Sequence, residues 1–264
     1  MYYYIKNKIE IVFRKLAELY SLRKLSSNPE IWDVLQNYLS KTKSTGCSYI
    51  DYYQLYKQIR TRQPAEVLEC GTGVTTLVIA HALMENERLT GIRGRVTSME
   101  ENDEWLIMSK NLLPSKYNQY VDFCLSDTVE DYFSLFRGIR YRDVPDRPYE
   151  FIFIDGPKYH SPIDNVPTFD FDLLHIIRNS DIFVSGLIDK RLSTCFVLQQ
   201  LLGVDKVSYS TIFGLGFILP CNKHDLGVLP NHLSSENFSK YFKIFKQTKL
   251  RLTPIILDDQ YESK

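Results

Sequence analysis

Val67-Leu68-Glu69-Cys70-Gly71-Thr72-Gly73-Val74-Thr75-Thr76 is the stretch that decides the fold. An apolar run ends in an acid, a tight Gly-x-Gly turn follows, and Thr75-Thr76 opens the helical run Leu77-Val78-Ile79-Ala80-His81-Ala82-Leu83. Glycines let the backbone turn sharply and approach a ligand with no Cβ in the way. The helix behind them directs its free N–H groups at whatever sits there. The stretch reads as the floor of a nucleotide-type pocket; the plainer alternative is an ordinary strand-to-helix turn.

Outward from this turn the chain alternates. Arg95-Val96-Thr97-Ser98-Met99-Glu100 is a short strand ending in an acid, and Asn102 caps a helix through Trp105, Leu106, Met108 and Leu112 that Pro114 closes. Val121-Asp122-Phe123-Cys124-Leu125-Ser126-Asp127 is a third strand, followed by an expected helix carrying Val129, Tyr132, Phe133 and Phe136 and ended by Gly138. Tyr149-Glu150-Phe151-Ile152-Phe153-Ile154-Asp155-Gly156-Pro157 is a fourth strand. The strand-end acids Glu69, Glu100, Asp127 and Asp155 are 31, 27 and 28 residues apart. A βα unit consumes about 30 residues. Each acid therefore sits at the same end of consecutive parallel strands, where open sheets bind ligands. Any single acid could instead cap the helix that follows it.

Beyond Asp155, residues 170–177 read as a helix, Asp181 to Asp189 carry a fifth strand, and residues 193–202 form a helix stopped by Gly203. Residues 206–210 and 216–219 read as a closing pair of strands, and residues 235–249 as a last amphipathic helix with Phe238, Tyr241, Phe242 and Phe245 inward.

Ahead of the glycine turn the pattern is helical. In residues 2–25, Ile5, Ile9, Val12, Phe13, Leu16 and Tyr20 share one face, with Lys6, Lys8, Arg14, Lys15, Arg23 and Lys24 mostly elsewhere. A basic amphipathic helix can lie on an acidic membrane surface, but packing on its own domain or on a second subunit, as in a homo-oligomer, is the commoner use. Asn28-Pro29-Glu30 is a cap with proline at the first helical position, and a second helix runs through Ile31, Trp32, Val34, Leu35 and Leu39. Ser44-Thr45-Gly46 is a loop, and Ser48 caps a third helix that stops before Pro64. Residues 1–62 are thus expected as an N-terminal helical cap and residues 63–264 as the main domain with a C-terminal helix.

Lys plus Arg equals Asp plus Glu at 32 each, which argues against a nucleic-acid binder relying on bulk charge. The cysteines, Cys47, Cys70, Cys124, Cys195 and Cys221, are odd in number and scattered without a Cys-x-x-Cys pair. Neither a zinc site nor a disulfide framework follows. With no apolar run of membrane-spanning length and no signal-peptide pattern, a cytoplasmic protein is expected.

The dinucleotide fingerprint G-x-G-x-x-G would put its third glycine at Thr76, and a phosphate loop would need a Lys-Ser/Thr pair that is missing. Glu69-x-Gly71-x-Gly73 instead resembles motif I of the class I S-adenosylmethionine-dependent methyltransferases. The resemblance covers residues 66–217 and implies a Rossmann-like, doubly wound α/β fold: a mostly parallel seven-stranded sheet in the order 3-2-1-4-5-7-6. It also implies S-adenosylmethionine as cofactor. Glu69, Gly71, Thr72, Gly73 and Thr76 would form the methionine end of its site. Glu100, with Glu101 as the alternative, would accept the ribose hydroxyls. Ser126 and Asp127 would meet the adenine edge, and Asp155 would lie next to the methyl group. The Ile-Asp-Gly form around Asp155 resembles the O-methyltransferase and small-molecule branch, not the Asn-Pro-Pro-Tyr form of nucleic-acid methylation.

Methyl transfer needs little from a protein beyond in-line positioning, though an alcohol acceptor benefits from a base. Asp155 and His160 are the candidates for that base. Asp155 and Asp189 could supply ligands to a divalent metal, but Lys190 and Arg191 follow Asp189 and oppose a cation, so no metal is expected. The expected activity is methyl transfer to a small molecule or sugar, at oxygen. An NAD-dependent oxidoreductase and a non-catalytic cofactor-binding or scaffolding subunit of the same fold are the alternatives.

Overall fold

The structure, a computed structural model, describes residues 2–42, 48–134, 136–178 and 180–227, with side chains from Glu10 onward. Helices α1 (Tyr2–Ser26), α2 (Pro29–Leu39) and α3 (Tyr49–Arg62) precede the first strand, β1 (Glu66–Cys70). Then come α4 (Val74–Thr90), β2 (Arg95–Glu100), α5 (Asp103–Leu112) and, after a 3₁₀ turn, β3 (Val121–Leu125). A hairpin β4 (Thr128–Phe133) and β5 (Phe136–Tyr141) leads to β6 (Phe151–Ile154), β7 (Phe169–Asp170) and α6 (Asp172–Arg178). The remaining elements are β8 (Val184–Asp189), α7 (Leu192–Leu202), β9 (Val207–Ser210), β10 (Leu215–Cys221) and a last 3₁₀ turn, Lys223–Asp225.

Seven strands form one sheet in the order β3-β2-β1-β6-β8-β10-β9. Numbered by chain order within that sheet, this is the expected 3-2-1-4-5-7-6. Pairing is parallel from β3 through β8, and β10 runs antiparallel to both of its neighbours. The fold is Rossmann-like. All four residues of β6 are buried, as a central strand covered on both faces requires. Strand alternation divides the core. Val67, Phe151, Phe153 and Leu187 face α2, α3 and α4, while Leu68, Cys70, Ile152, Ile154 and Ile188 face α6 and α7.

The caps expected at Asn28 and Asn102 are in place, while the Ser48 hydroxyl has no partner among the described residues. Asn28 accepts from the Glu30 amide at 3.2 Å with Pro29 opening α2, and Asn102 accepts from the Trp105 amide at 3.0 Å. Asp51 returns a bond to the Ser48 amide at the start of α3.

Two expectations need correction. Residues 128–138 are not a helix but the β4–β5 hairpin, which pairs with β7 in a second sheet. Their polar residues explain why. Across the hairpin and its neighbours, Glu130 pairs with buried Arg137, and Asp131 pairs with Arg140 and Arg178. Gly138 is no helix stop: a Cβ there would stand 2.4 Å from the Phe171 ring, so the glycine admits that ring against the strand. Second, the helix expected over residues 170–177 is shorter, because Phe169–Asp170 pairs with β5 before α6 begins. The apolar face of α1, expected on its own domain or on a second subunit, does not pack inward among the described residues. Val12, Phe13, Leu16 and Tyr20 are each more than half exposed. The helix is held instead by buried Ser21 and Leu25 and by Glu18, which accepts from the Tyr49 and Ile50 amides at the start of α3. The loop at Ser44-Thr45-Gly46, Cys47 and the helix expected over residues 235–249 lie outside the described residues. Among the described residues no helix is long and apolar enough to cross a membrane.

Candidate functional site

The parallel register brings the strand-end acids to one edge. Cys70 pairs with Met99 on one side and Ile154 on the other, and Ile154 pairs with Ile188. One residue past each, Glu100, Gly71, Asp155 and Asp189 stand in a row across the carboxyl edge. Asp127 lies two residues beyond the end of β3, exposed on the same rim.

Gly71 has φ of 95°, a left-handed backbone that favours glycine. A Cβ there would sit 2.8 Å from the amide nitrogen of Gly156, and one on Gly156 would sit 2.8 Å from the Cα of Gly71. The loops after β1 and β6 therefore touch backbone to backbone, and Asp155 is fixed beside the glycine turn. The Asp155 amide adds a bond to the Cys70 carbonyl at 2.9 Å.

Glu69 is fully buried beneath this turn. Its Oε2 accepts from the Thr76 and Ser98 hydroxyls, both at 2.6 Å, and the Gly73 amide donates to the Thr76 hydroxyl at 3.0 Å. Glu69 thus organises the turn from below through Thr76. Its Oε1 has no partner among the described residues. Burial pushes the carboxyl up to about 7, with nearby Asp155 adding to the shift and the Ser98, Thr75 and Thr76 hydroxyls opposing it. Folded Glu69 therefore keeps a proton that the unfolded chain loses near 4.5, the ordinary value for a glutamate. Its contribution to stability falls as pH rises through that window and is gone above about 7. Glu69→Gln removes the titration. The variant is expected to gain on the order of 2 kcal/mol over the wild type at about pH 8, and nothing at about pH 4. Urea unfolding at the two pH values measures this, and an equal difference at both would contradict it.

Glu100 is nearly buried, and its carboxylate accepts three backbone amides: Thr72 at 3.2 Å, and Glu101 and Asn102 at 3.0 Å each. Burial raises its pKa and those amides oppose the rise. The glycine turn and the start of α5 are thereby tied to one carboxylate. Glu101 faces a different task. It accepts from the Tyr141 hydroxyl at 3.0 Å and the Lys158 amide at 3.2 Å, bracing the loop after Asp155. The Ser126 hydroxyl is engaged with the Asp127 carbonyl and the Asp143 amide at the base of the hairpin.

Asp155 is half-buried, and its carboxyl stands within hydrogen-bonding reach of Asp189. Arg191 anchors the same loop from the opposite face, donating to the carbonyls of Asp155 at 2.7 Å and Pro157 at 2.6 Å. Behind Arg191 lie the fully buried Asp170 and Asp172. His160 stacks on Tyr159 with ring centroids 4.6 Å apart, and its backbone bridges to Pro167. The next residue, Ser161, is hydrogen-bonded to Arg137, so this loop is drawn towards the second sheet.

Sequence reasoning missed Asp51 and the tie made by Arg191. Asp51 was legible as a cap residue of α3, but its approach to the sheet edge was not. It is fully buried, 3.7 Å from the Lys190 ammonium, which lies 3.6 Å from Asp189. Burial pushes Asp189 up to about 8, with Asp155 and Asp51 adding to the rise. Asp51, Glu69, Asp155 and Asp189 therefore gather on one face of the sheet beside the glycine turn. Among the described residues no group of His, Cys, Asp and Glu side chains is arranged to hold a metal ion. A cavity of about 660 Å³ lies elsewhere, lined by Val144, Arg147, Tyr149, His175 and Ile182 at the amino ends of β6 and β8; Asp155 does not line it.

No protein-family model matches the chain, and no curated protein matches it. Solved structures do. Cofactor-bound Rv0187 from MTB is 14% identical with a TM-score of 0.45, over 72% of this chain and 90% of that one. The O-methyltransferase TomG from Streptomyces achromogenes, involved in tomaymycin synthesis and in complex with SAM, is 15% identical with a TM-score of 0.43, over 70% and 87%. An O-methyltransferase from Bacillus cereus in complex with SAH is 14% identical with a TM-score of 0.40, over 82% and 78%. Likeness at this level leaves the chemistry of this chain to be read from its own residues.

Proposed function

We propose that this chain is an S-adenosylmethionine-dependent methyltransferase acting at an oxygen of a small-molecule or sugar acceptor. One observation carries the reading. The glycine turn has Glu100 on one side and a gathering of acids, Glu69, Asp155, Asp189 and Asp51, on the other. A carboxylate beside a turn suits a ribose, whose two hydroxyls donate in parallel. The acid-rich side suits a cation: S-adenosylmethionine carries a sulfonium and an ammonium, whereas a nicotinamide dinucleotide would bring its anionic pyrophosphate against those acids. The buried, unpartnered Oε1 of Glu69 and Oδ1 of Asp51 fit a ligand that brings positive charge and N–H donors.

When bound, the cofactor supplies a methyl group on a ready leaving sulfur. The protein positions the partners. Glu100 would hold the ribose while staying braced by the Thr72, Glu101 and Asn102 amides. The exposed Asp127 would border the adenine. Glu69 would act through Thr76, keeping the turn in shape. Asp155, locked by the Cys70 carbonyl and by Arg191, would take the proton of the acceptor hydroxyl, and its raised-pKa neighbour Asp189 can share that proton. His160, on the rim of the same loop, is placed to border the acceptor. The test is which ligand the purified chain binds: S-adenosylmethionine is expected to bind and NAD is not, and the reverse would overturn the proposal.

A further inference from the structure

Among the described residues, helix α1 is fastened along one side. Its attachments are Glu18, which accepts from the Tyr49 and Ile50 amides, and the buried Ser21 and Leu25. At 3.6 residues per turn these three lie on one side of the helix, and Val12, Phe13, Leu16, Leu19 and Tyr20 lie on the other. Each of those five is more than half exposed. They form a single apolar stripe, which the sequence continues through Ile5 and Ile9. A contiguous apolar patch rimmed by polar residues marks an interaction surface.

Charge says what covers it. Residues 2–26 hold six cations, Lys6, Lys8, Arg14, Lys15, Arg23 and Lys24, against two acids, Glu10 and Glu18, in a chain with no net charge. Glu18 is spent on α3. Lys15 borders the stripe on one flank and Lys24 on the other, with Arg23 at its C-terminal end, and all three are exposed. Such stems lay their methylenes along an apolar face while their charged ends reach lipid phosphates. Tyr20, edge-on to Tyr53 at 5.8 Å and 5.5 Å from the Lys24 ammonium, is the residue type that bilayer interfaces favour. A second copy of the helix would set cationic flanks against cationic flanks, and like charges placed together oppose association. The helix expected over residues 235–249 fits no better, since it carries Lys240, Lys243, Lys246 and Lys249.

The stripe lies beside the site. Glu18 holds the start of α3, the helix that brings Asp51 to the sheet edge. Arg14 packs on the turn between β9 and β10, where a Cβ on Gly214 would stand 3.6 Å from its guanidinium, and the Gly214 carbonyl accepts from the Lys190 amide at 3.0 Å. We propose that α1 is an interfacial helix that lays the chain on an anionic lipid surface. Its stripe enters the acyl boundary, its flanking cations meet the headgroups, and the carboxyl edge of the sheet comes close to the lipid. This seating holds whether or not the site binds S-adenosylmethionine.

Flotation of the full chain tests it, with vesicles of phosphatidylcholine alone and of phosphatidylcholine carrying about 30% phosphatidylserine. Binding to the anionic vesicles is expected to exceed binding to the neutral ones about tenfold or more. It should fall steeply at about 1 M salt, where the screening length is about 3 Å. Phe13→Glu combined with Leu16→Glu is expected to weaken it about tenfold or more. Both side chains are exposed, so the Tm of that variant should move by no more than about 2 °C. Lys15→Gln combined with Lys24→Gln should remove most of the preference for anionic vesicles, and decides the matter if the glutamates lower the Tm further. A wild-type chain that floats with neither vesicle overturns the proposal, as does binding that is equal on both or unmoved by either pair of changes. Sedimentation equilibrium identifies a rival occupant: a dimer that Phe13→Glu with Leu16→Glu converts to monomer, without vesicle binding, assigns the stripe to a second copy. Vesicle binding that appears only when Phe238 and Phe242 are both changed to Ser in the full chain assigns it to the C-terminal segment. Either result also overturns the proposal.

Discussion

Asp155→Asn is expected to lower turnover by about 10²–10⁴-fold, the usual contribution of a positioned general base. The amide keeps the volume of the side chain, and the loop's anchors are backbone atoms: the Asp155 amide on the Cys70 carbonyl, and the Asp155 and Pro157 carbonyls on Arg191. The variant should therefore keep its fold and the glycine contact between Gly71 and Gly156. What it loses is the one carboxylate of the row that stands half-buried on the rim and within reach of Asp189. Methyl transfer to an acceptor, once one is found by screening hydroxylated small molecules and sugars, measures the effect. A fall of less than about threefold in kcat would remove Asp155 from proton transfer and turn attention to His160.

Glu100→Ala is expected to weaken S-adenosylmethionine by about 1.5–3 kcal/mol, the worth of hydrogen bonds to a charged group. That is roughly a 10- to 150-fold rise in Kd. The structure adds a second cause to the loss of the ribose contact: the same carboxylate holds the Thr72, Glu101 and Asn102 amides, so its removal also loosens the turn. Glu100→Gln keeps an acceptor for part of this network and should lose less. Glu101→Ala separates the two acids. It removes the brace from the Tyr141 hydroxyl and the Lys158 amide, so its effect should fall on the acceptor loop and leave cofactor affinity near wild type. An affinity unchanged in Glu100→Ala and lost in Glu101→Ala would reverse the assignment.

The alternation of strands and helices was legible because it depends on local periodicity and on punctuation such as Gly71, Asn102 and Gly203. The row of acids was legible because equal spacing along the chain becomes equal height in a parallel sheet. The β4–β5 hairpin was not. Val129, Tyr132, Phe133 and Phe136 fit a helical face as well as a strand pair, and the charges that decide between them meet across the chain, Glu130 with Arg137 and Asp131 with Arg178. Which use the outer face of α1 serves was not legible for a related reason. Apolar spacing identifies a helix, but the side that packs was chosen by Glu18 capping α3 and by Ser21 and Leu25. Asp51 was readable as a cap, yet its place beside Lys190 depends on how α3 lies over the end of β8. Pairings of this kind leave no periodic trace.

Whether the carboxyl edge holds an adenosyl-sulfonium cofactor decides the function. It is tested most directly by calorimetric titration of the full chain with S-adenosylmethionine, S-adenosylhomocysteine and NAD in the same buffer. Both adenosyl compounds are expected to bind saturably at a single site per chain, more weakly in Glu100→Ala, and NAD to give no heat. Saturable NAD binding with no heat from either adenosyl compound would contradict it.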